Sequence, residues 1–188
     1  MKISEIIKID EPSEHGIELD KLKNAHFHIV YEKYLSLYFI EECKIGDELI
    51  FAISEINGKK RIAYLVSALI TDLDLKYHKK ILMITRTWCE PEFRKRGLIS
   101  NLYRFLHRQM GYSLISDTKH SPDTIKIWNK LRSQWRVKML DINTKEISDI
   151  DDKVLYGNED KMMILEDYGF ASKILILIED YRFAMDED

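Results

Sequence analysis

As far as Cys89 the apolar positions of this chain fall in short runs rich in Ile, Val, Phe and Tyr; beyond Gly97 they recur every three or four residues. The first regime predicts strands. "KISEIIKI", "FHIVYEKYLSLYFIEE", "ELIFAISEI" and "RIAYLVSALI" are runs of that kind, and "NGK" between the last two is a hairpin signal. A short helix over residues 17–24 interrupts the first pair of runs. "KYLSLYFIE" also fits a helix, because Tyr34, Leu37 and Tyr38 share a helical face. After "HKK" comes "ILMITRTWC", a run of strand length that ends at Glu90 and Pro91 and reads as a central strand.

The second regime begins at Gly97. Leu98, Leu102, Phe105 and Leu106 form an apolar helical stripe, while Asn101, Arg104 and Arg108 fall elsewhere on the helix. "GYSLIS" is then a short buried strand. "SPDTIKIWNKLRSQW" opens a second helix with Ser121 as N-cap and Pro122 at the first helical position, its stripe being Ile127, Trp128, Leu131 and Trp135. "RVKMLDINTKEI", "KMMILEDY" and "KILILIED" supply further strands, separated by acidic loops such as "SDIDDK". The sum is an α/β or α+β fold in which a helix follows each of two adjacent strands. With 7 glycines, 3 prolines and no internal repeat, the chain offers no linker, so residues 1–188 are expected to form one domain.

Composition narrows the class. The chain has 188 residues, 45% of them hydrophobic, enough for a core without covalent staples. Cys43 and Cys89 lack CxxC or Cys/His spacing, which makes them reduced thiols rather than a zinc site or redox pair. His26 and His28 share a strand face, and with His15 they read as surface histidines, so no metal is expected. No apolar run approaches the length of a membrane span, and the N-terminus is broken by charge, so a soluble, cytoplasmic protein is expected. The net charge of -3 argues against general attraction to nucleic acid or an anionic membrane. "RKRG" with Arg104 and Arg108 still allows a local phosphate-backbone patch, although interleaved exposed aromatics are missing.

The candidate chemistry lies in "CEPEFRKRGLISNLYR". The first N–H groups of a helix lack intrahelical partners and carry partial positive charge, so a strand that turns into a helix at "RKRGLIS" gathers amides for an anion. Gly97 permits close approach of a phosphate or pyrophosphate, and Arg94, Lys95 and Arg96 add charge around it.

This segment resembles the acyl-CoA-binding motif of the GNAT superfamily of N-acyltransferases, Gln/Arg-x-x-Gly-x-Gly/Ala after a strand often ending in Val-x-Pro-x-Tyr. Arg94 and Gly97 match; Cys89, Pro91 and Phe93 take the lead-in places. "SPDTIKIWNKL" is similar to the family's next helix, with Pro122, Ile125 and Leu131 matching, Ser121 in an Asn place and Trp128 in a Tyr place. "SDTKHS" followed by "IWNKL" resembles GNAT-type proteins of bacteriophage genomes, for which the compartment is the host cytoplasm. The resemblance spans residues 81–131.

It implies a mixed, mostly antiparallel central sheet with splayed middle strands, flanked by helices. Pantetheine would pair with the backbone of Thr87, Trp88 and Cys89, pyrophosphate would lie on the turn formed by Arg94, Lys95, Arg96, Gly97, Leu98, Ile99 and Ser100, and Ser121 would add a hydrogen bond. Ile99 departs from the motif's Gly or Ala: it either turns into the core or stands over the pyrophosphate.

Direct acyl transfer from acetyl-CoA to an amine needs a neutral amine, an oxyanion donor and a proton for the leaving thiolate. A backbone N–H near Cys89 would serve as donor. "ILMITRTWC" lacks the carboxylate the family often carries there, which leaves Asp117 and Glu90 as candidate bases, each also readable as a turn or strand-end residue. Trp128 can donate a hydrogen bond but not a proton. Tyr103, Tyr112, Ser116 and Ser121 are the alternatives for the acid, and His120 is a loop histidine. The expectation is an N-acetyltransferase with an unidentified amine acceptor. Its rival is a non-catalytic GNAT scaffold that binds a protein partner.

Overall fold

The computed structural model describes residue 22 and residues 25–57, 60–71, 73, 80–116, 122–132, 136–141, 147–149 and 174–179. In chain order these form strands β1 (His28–Tyr34), β2 (Tyr38–Ile45), β3 (Glu48–Glu55), β4 (Arg61–Ile70) and β5 (Ile81–Cys89), a 3-10 turn at Pro91–Phe93, and helix α1 (Leu98–Arg108). Then follow β6 (Ser113–Ser116), α2 (Pro122–Arg132), β7 (Arg136–Asp141), β8 (Ile147–Asp149) and β9 (Ile174–Glu179). Among the described residues, these strands join one sheet in the order β1-β2-β3-β4-β5-β6-β9-β7-β8.

The pairing is antiparallel except between β5 and β6, which run parallel because α1 carries the chain back to the start of the sheet. A mixed, mostly antiparallel sheet with a helix after each of two adjacent strands is what the sequence predicts. The "NGK" hairpin is also present: β3 and β4 pair antiparallel, and the Glu55 N–H donates to the Lys60 carbonyl at 3.0 Å.

Two expectations need correction. Residues 27–42 form neither one long strand nor a helix; β1 and β2 are a hairpin closed at Tyr34 opposite Tyr38. Leu35 and Ser36 make the turn in the left-handed region, with φ of 48° and 65°. A Leu-Ser-Leu turn carries none of the Gly, Asn or Asp that normally marks such geometry, so the pattern gave no warning. Burial of Tyr34, Tyr38 and Ile40 on the core face holds it. Likewise "RVKMLDINTKEI" folds as two antiparallel strands, β7 and β8, rather than one.

The main core lies between one face of the sheet and the helices. Leu98, Leu102, Phe105 and Leu106, the predicted stripe of α1, are all buried there, as are Trp128 and Leu131 of α2. The opposite face carries a smaller cluster of Cys43, Ile50, Ala52, Tyr64 and Val66, covered by Leu22 and flanked by Phe27 and Trp88. Leu22 is helical, in keeping with the helix expected over residues 17–24, the rest of which lies outside the described residues. "KISEIIKI", "KMMILEDY" and Trp135 also lie outside them. Among the described residues no helix is long and apolar enough to cross a membrane, and no group of three or more His, Cys, Asp or Glu is placed to hold a metal ion.

Candidate functional site

The site begins where β5 loses a neighbour. Its first four residues, Ile81, Leu82, Met83 and Ile84, pair with β4 on one side and with β6 on the other and are all buried. From Thr85 to the strand's end at Cys89 the residues are half-buried and, among the described residues, pair with β4 alone. The boundary has a local cause. Val66 faces Arg86 while Ser67 faces Ile84, so Thr85 is one residue too many, a bulge that bends and twists the strand at this point. The Thr85 hydroxyl donates to the Val66 carbonyl at 3.2 Å and fixes it there. Among the described residues, then, the second half of β5 has a strand on one side only.

The open half leads directly into the basic turn. The Glu90 N–H still donates to the Ile62 carbonyl at 2.9 Å, after which the chain leaves the sheet through the 3-10 turn. Lys95 and Gly97 are both left-handed, with φ of 63° and 77°, and reverse it into α1. The helical hydrogen bond that closes on that reversal runs from the Asn101 N–H to the Gly97 carbonyl at 2.9 Å. The N–H groups of Leu98, Ile99 and Ser100 precede it and lie in the orphaned first turn. Gly97 supplies no side-chain cap, and the first turn contains no acidic residue. An anion is the natural complement of such an end.

The three basic side chains are not equivalent. Arg94 turns back and its Nε donates to the Cys89 carbonyl at 3.0 Å. Arg96 donates to the Glu92 carbonyl at 3.0 Å and stacks on Phe93, 4.8 Å from the ring centre. Lys95 is exposed. Ile99 settles one alternative: its side chain belongs to the main core and is only 9% exposed, so it has turned away from the surface of the turn. A buried hydroxyl anchors that same turn from below, Tyr34 donating to the Leu98 carbonyl at 3.2 Å.

Of the backbone expected to meet pantetheine, Thr87, Trp88 and Cys89 lie opposite Leu65, Tyr64 and Ala63. The Trp88 ring packs on Tyr64 at 5.7 Å, on the face away from α1. Burial pushes the Cys89 thiol above its ordinary value, with Arg94 opposing, and pushes Cys43 up to about 11, so neither is a thiolate at neutral pH.

Glu90 sits at the end of β5, paired with Lys60 at 3.4 Å, and Lys60 also meets Glu92 at 3.2 Å. Asp117, His120 and Ser121 lie outside the described residues. Tyr103 is fully buried, edge-on to Trp128 with ring centres 5.6 Å apart, and burial raises its phenol above the ordinary value. A phenol so placed is a poor acid. Tyr112 is half-buried against Phe51 with its phenol also raised by burial, and Ser116 is buried in β6.

Two further side chains, one from each helix, border this turn. The place a β-carbon would take at Gly97 lies 3.6 Å from Asn101 Nδ2 and 3.6 Å from Lys130 Nζ. The Arg104 guanidinium donates to Asn101 Oδ1 at 3.0 Å. A signal existed: Asn101 is one helical turn beyond Gly97, and Lys130 stands two residues after Trp128 in "IWNKL".

No protein-family model matches the chain, and no curated protein matches it. Among solved structures, it is similar to a putative acetyltransferase from the GNAT family from Bacteroides thetaiotaomicron. That likeness covers 88% of this chain and 86% of the other at 11% identity, with a TM-score of 0.37.

Proposed function

We propose that this chain is an acyl-CoA-dependent N-acyltransferase that uses acetyl-CoA and an amine acceptor. The observation that carries the reading is the continuity of two features: the open edge of β5 runs into the uncapped N-terminus of α1 through a left-handed glycine. A ligand with a chain of amides at one end and phosphates at the other suits that sequence of surfaces.

The residues fit acyl-CoA. Backbone groups of Thr87, Trp88 and Cys89 would pair with the pantetheine amides, with Arg94 giving up the Cys89 carbonyl as it turns toward phosphate. Amides of Lys95, Arg96, Gly97, Leu98, Ile99 and Ser100 would receive the pyrophosphate, and the burial of Ile99 supports access to them. Ser121 would add its hydrogen bond. When bound, acetyl-CoA supplies an activated thioester for direct attack by the amine. The chain's part is to hold that group at the strand opening, to offer a backbone N–H near Cys89 to the carbonyl oxygen, and to take the amine's proton on Asp117 or Glu90, through water if need be. Ser121 is the hydroxyl left to serve the departing thiolate.

The test is a calorimetric titration with acetyl-CoA and with CoA, on the wild type and on Gly97→Glu. Micromolar binding that disappears in a folded Gly97→Glu protein is the expected result. A folded wild type that binds neither ligand overturns the reading.

One observation favours a second reading, a GNAT-like scaffold without catalysis that engages a protein partner. Trp128 occupies the place of the usual proton donor and is buried against Tyr103, only 3% exposed. Under that reading a protein that binds CoA transfers no acetyl group to any amine offered, and under either reading nucleic acid and membrane are not partners.

A further inference from the structure

The exposed apolar surface is concentrated at one place. Of the seven large apolar side chains that stand exposed among the described residues, five belong to the β1–β2 hairpin or to the strand end beside it: Ile29, Tyr31, Leu35, Leu37 and Ile56. The last four gather at the tip. Leu37 is 64% exposed, and its carbonyl accepts from the Ile56 N–H at 3.1 Å, which holds those two residues side by side. Tyr31 shares Phe105 of α1 with Tyr34, the residue that opens the turn, its ring 5.0 Å from Phe105 and its other side in water. Exposed Ser36 and Asn57 flank the patch with polar groups.

The turn is a costly one for a tip that meets only water. Leu35 takes a φ of 48°, where its β-carbon is strained and where Gly, Asn or Asp would be at ease and would suit solvent as well. A leucine there is unfavourable in conformation and again in exposure, unless a contact buries it. That contact is made by side chains. The register of β1 against β2 shifts on either side of Tyr31, and an irregular edge of that kind is a poor template for another strand.

We propose that the tip of the β1–β2 hairpin is a dimer contact, in which Tyr31, Leu35, Leu37 and Ile56 of one protomer pack about a twofold axis on the same four residues of its partner. The area fits. A large side chain buries roughly 150–200 Å2 on leaving water, so four that are about half-exposed offer about 350 Å2 on each protomer. Two such patches remove about 700 Å2 of apolar surface, the apolar share of an interface of about 1,200 Å2, which is the lower end of specific contacts. Charge does not oppose the pairing. Between residues 29 and 37 the charged residues are Glu32 and Lys33, neighbours of opposite sign, so the hairpin gives a strongly charged partner nothing to match and meets its own copy without repulsion. The contact also stands at the sheet end where β5 finishes, since Tyr38 faces Glu55, Ser54 faces Arg61 and Ala63 faces Cys89. It is independent of the acyl-CoA reading.

The experiment is sedimentation velocity on the full chain from about 1 to 200 µM, a range that brackets the micromolar dissociation constant expected of so small an interface. The proteins are the wild type, Leu37→Glu, Leu35→Asn and, as a control at the other edge of the sheet, Ile147→Glu, each with a thermal melt. The wild type and Ile147→Glu are expected to pass from monomer to dimer within the range. Leu37→Glu puts a carboxylate without a partner into the centre of the contact and should weaken the dimer about a hundred-fold or more, leaving a folded monomer throughout. Leu35→Asn separates contact from scaffolding. Asn tolerates the left-handed turn, so the melting temperature measured at low concentration should hold or rise, while the lost apolar surface weakens association about ten-fold. A wild type that is monomeric at the highest concentration overturns the proposal, whether the patch is covered by the chain's own residues or meets a different partner. So does a dimer that Leu37→Glu and Leu35→Asn leave as tight as the wild type, which would place the contact elsewhere.

Discussion

The two halves of β5 differ in burial and in the strands beside them. Ile81, Leu82, Met83 and Ile84 are no more than 5% exposed and have strands on both sides, whereas the five residues after them are half-buried and have β4 alone among the described residues. The first half is a piece of core and carries stability. Among the described residues the second has main-chain groups along one edge that no strand meets, and an edge of that kind is either protected or used. Residue choice follows the division: "ILMI" is wholly apolar, and "TRTWC" opens with three polar side chains that tolerate water on one side. The bulge at Thr85 marks the join.

The largest effects should come from treating the halves alike. Leu82→Ala, at a position with no exposure, is expected to destabilise the protein by about 2–5 kcal/mol through lost burial and the cavity left behind. Thr87→Ala in the open half should cost less than about 1 kcal/mol. Chemical denaturation of the two variants measures both. Equal losses would mean that the second half is core as well, and that the opening of the sheet is not a surface.

Next in size is the turn that ends the open half. At Gly97 an added β-carbon meets nothing nearer than 3.6 Å among the described residues, and the left-handed backbone is the obstacle. Gly97→Ala is expected to lose about 1 kcal/mol from conformation alone. An Ala variant as stable as the wild type would show that residues 95–97 adopt another path in solution.

That turn was among the most legible parts of the chain. A change of hydrophobic period at a glycine after an apolar strand specified strand, turn and helix, and the stripe of α1 emerged residue for residue. Ile99 could not be decided by pattern, because whether a branched side chain enters the core depends on how the helix is rolled against the sheet. The Leu-Ser-Leu turn carries no local signal because its strain is offset by burial of the flanking Tyr34 and Tyr38, which depends on packing across the core. Asn101 and Lys130 were missed for a related reason: they are 29 positions apart and meet only once α2 packs on α1.

Two buried tyrosines extend the contrast to alkaline pH. Burial raises the phenols of Tyr34 and Tyr103 above their ordinary value of 10.0, with Arg104 opposing the shift at Tyr34. The unfolded chain releases these protons near 10 while the folded chain keeps them, so the unfolded state binds fewer protons above that pH. Stability should be intact below pH 10 and fall as pH rises beyond it. The single variants should differ at neutral pH. Tyr34→Phe removes the hydrogen bond to Leu98 beneath the turn and is expected to cost about 1 kcal/mol. Tyr103→Phe should be neutral or slightly stabilising, because its buried hydroxyl has no hydrogen-bond partner among the described residues. Each variant should flatten the alkaline loss, and thermal melts across pH 8–11 would show it.

The smallest effect concerns the far end of the open half. Lys60 reaches both Glu90 and Glu92, and its ammonium is held above the ordinary lysine value first by the hydrogen bond to Glu92. The Lys60 and Glu92 side chains are 50% and 64% exposed, so water and salt screen the attraction, and a long flexible side chain gives up entropy to make it. What fixes this end of β5 is instead the main-chain bond from Glu90 to Ile62, which no side-chain change removes. Lys60→Met is therefore expected to leave the melting temperature unchanged in low and high salt. A salt-dependent loss would show that the ion pairs, and not the sheet, hold the strand end from which the turn departs.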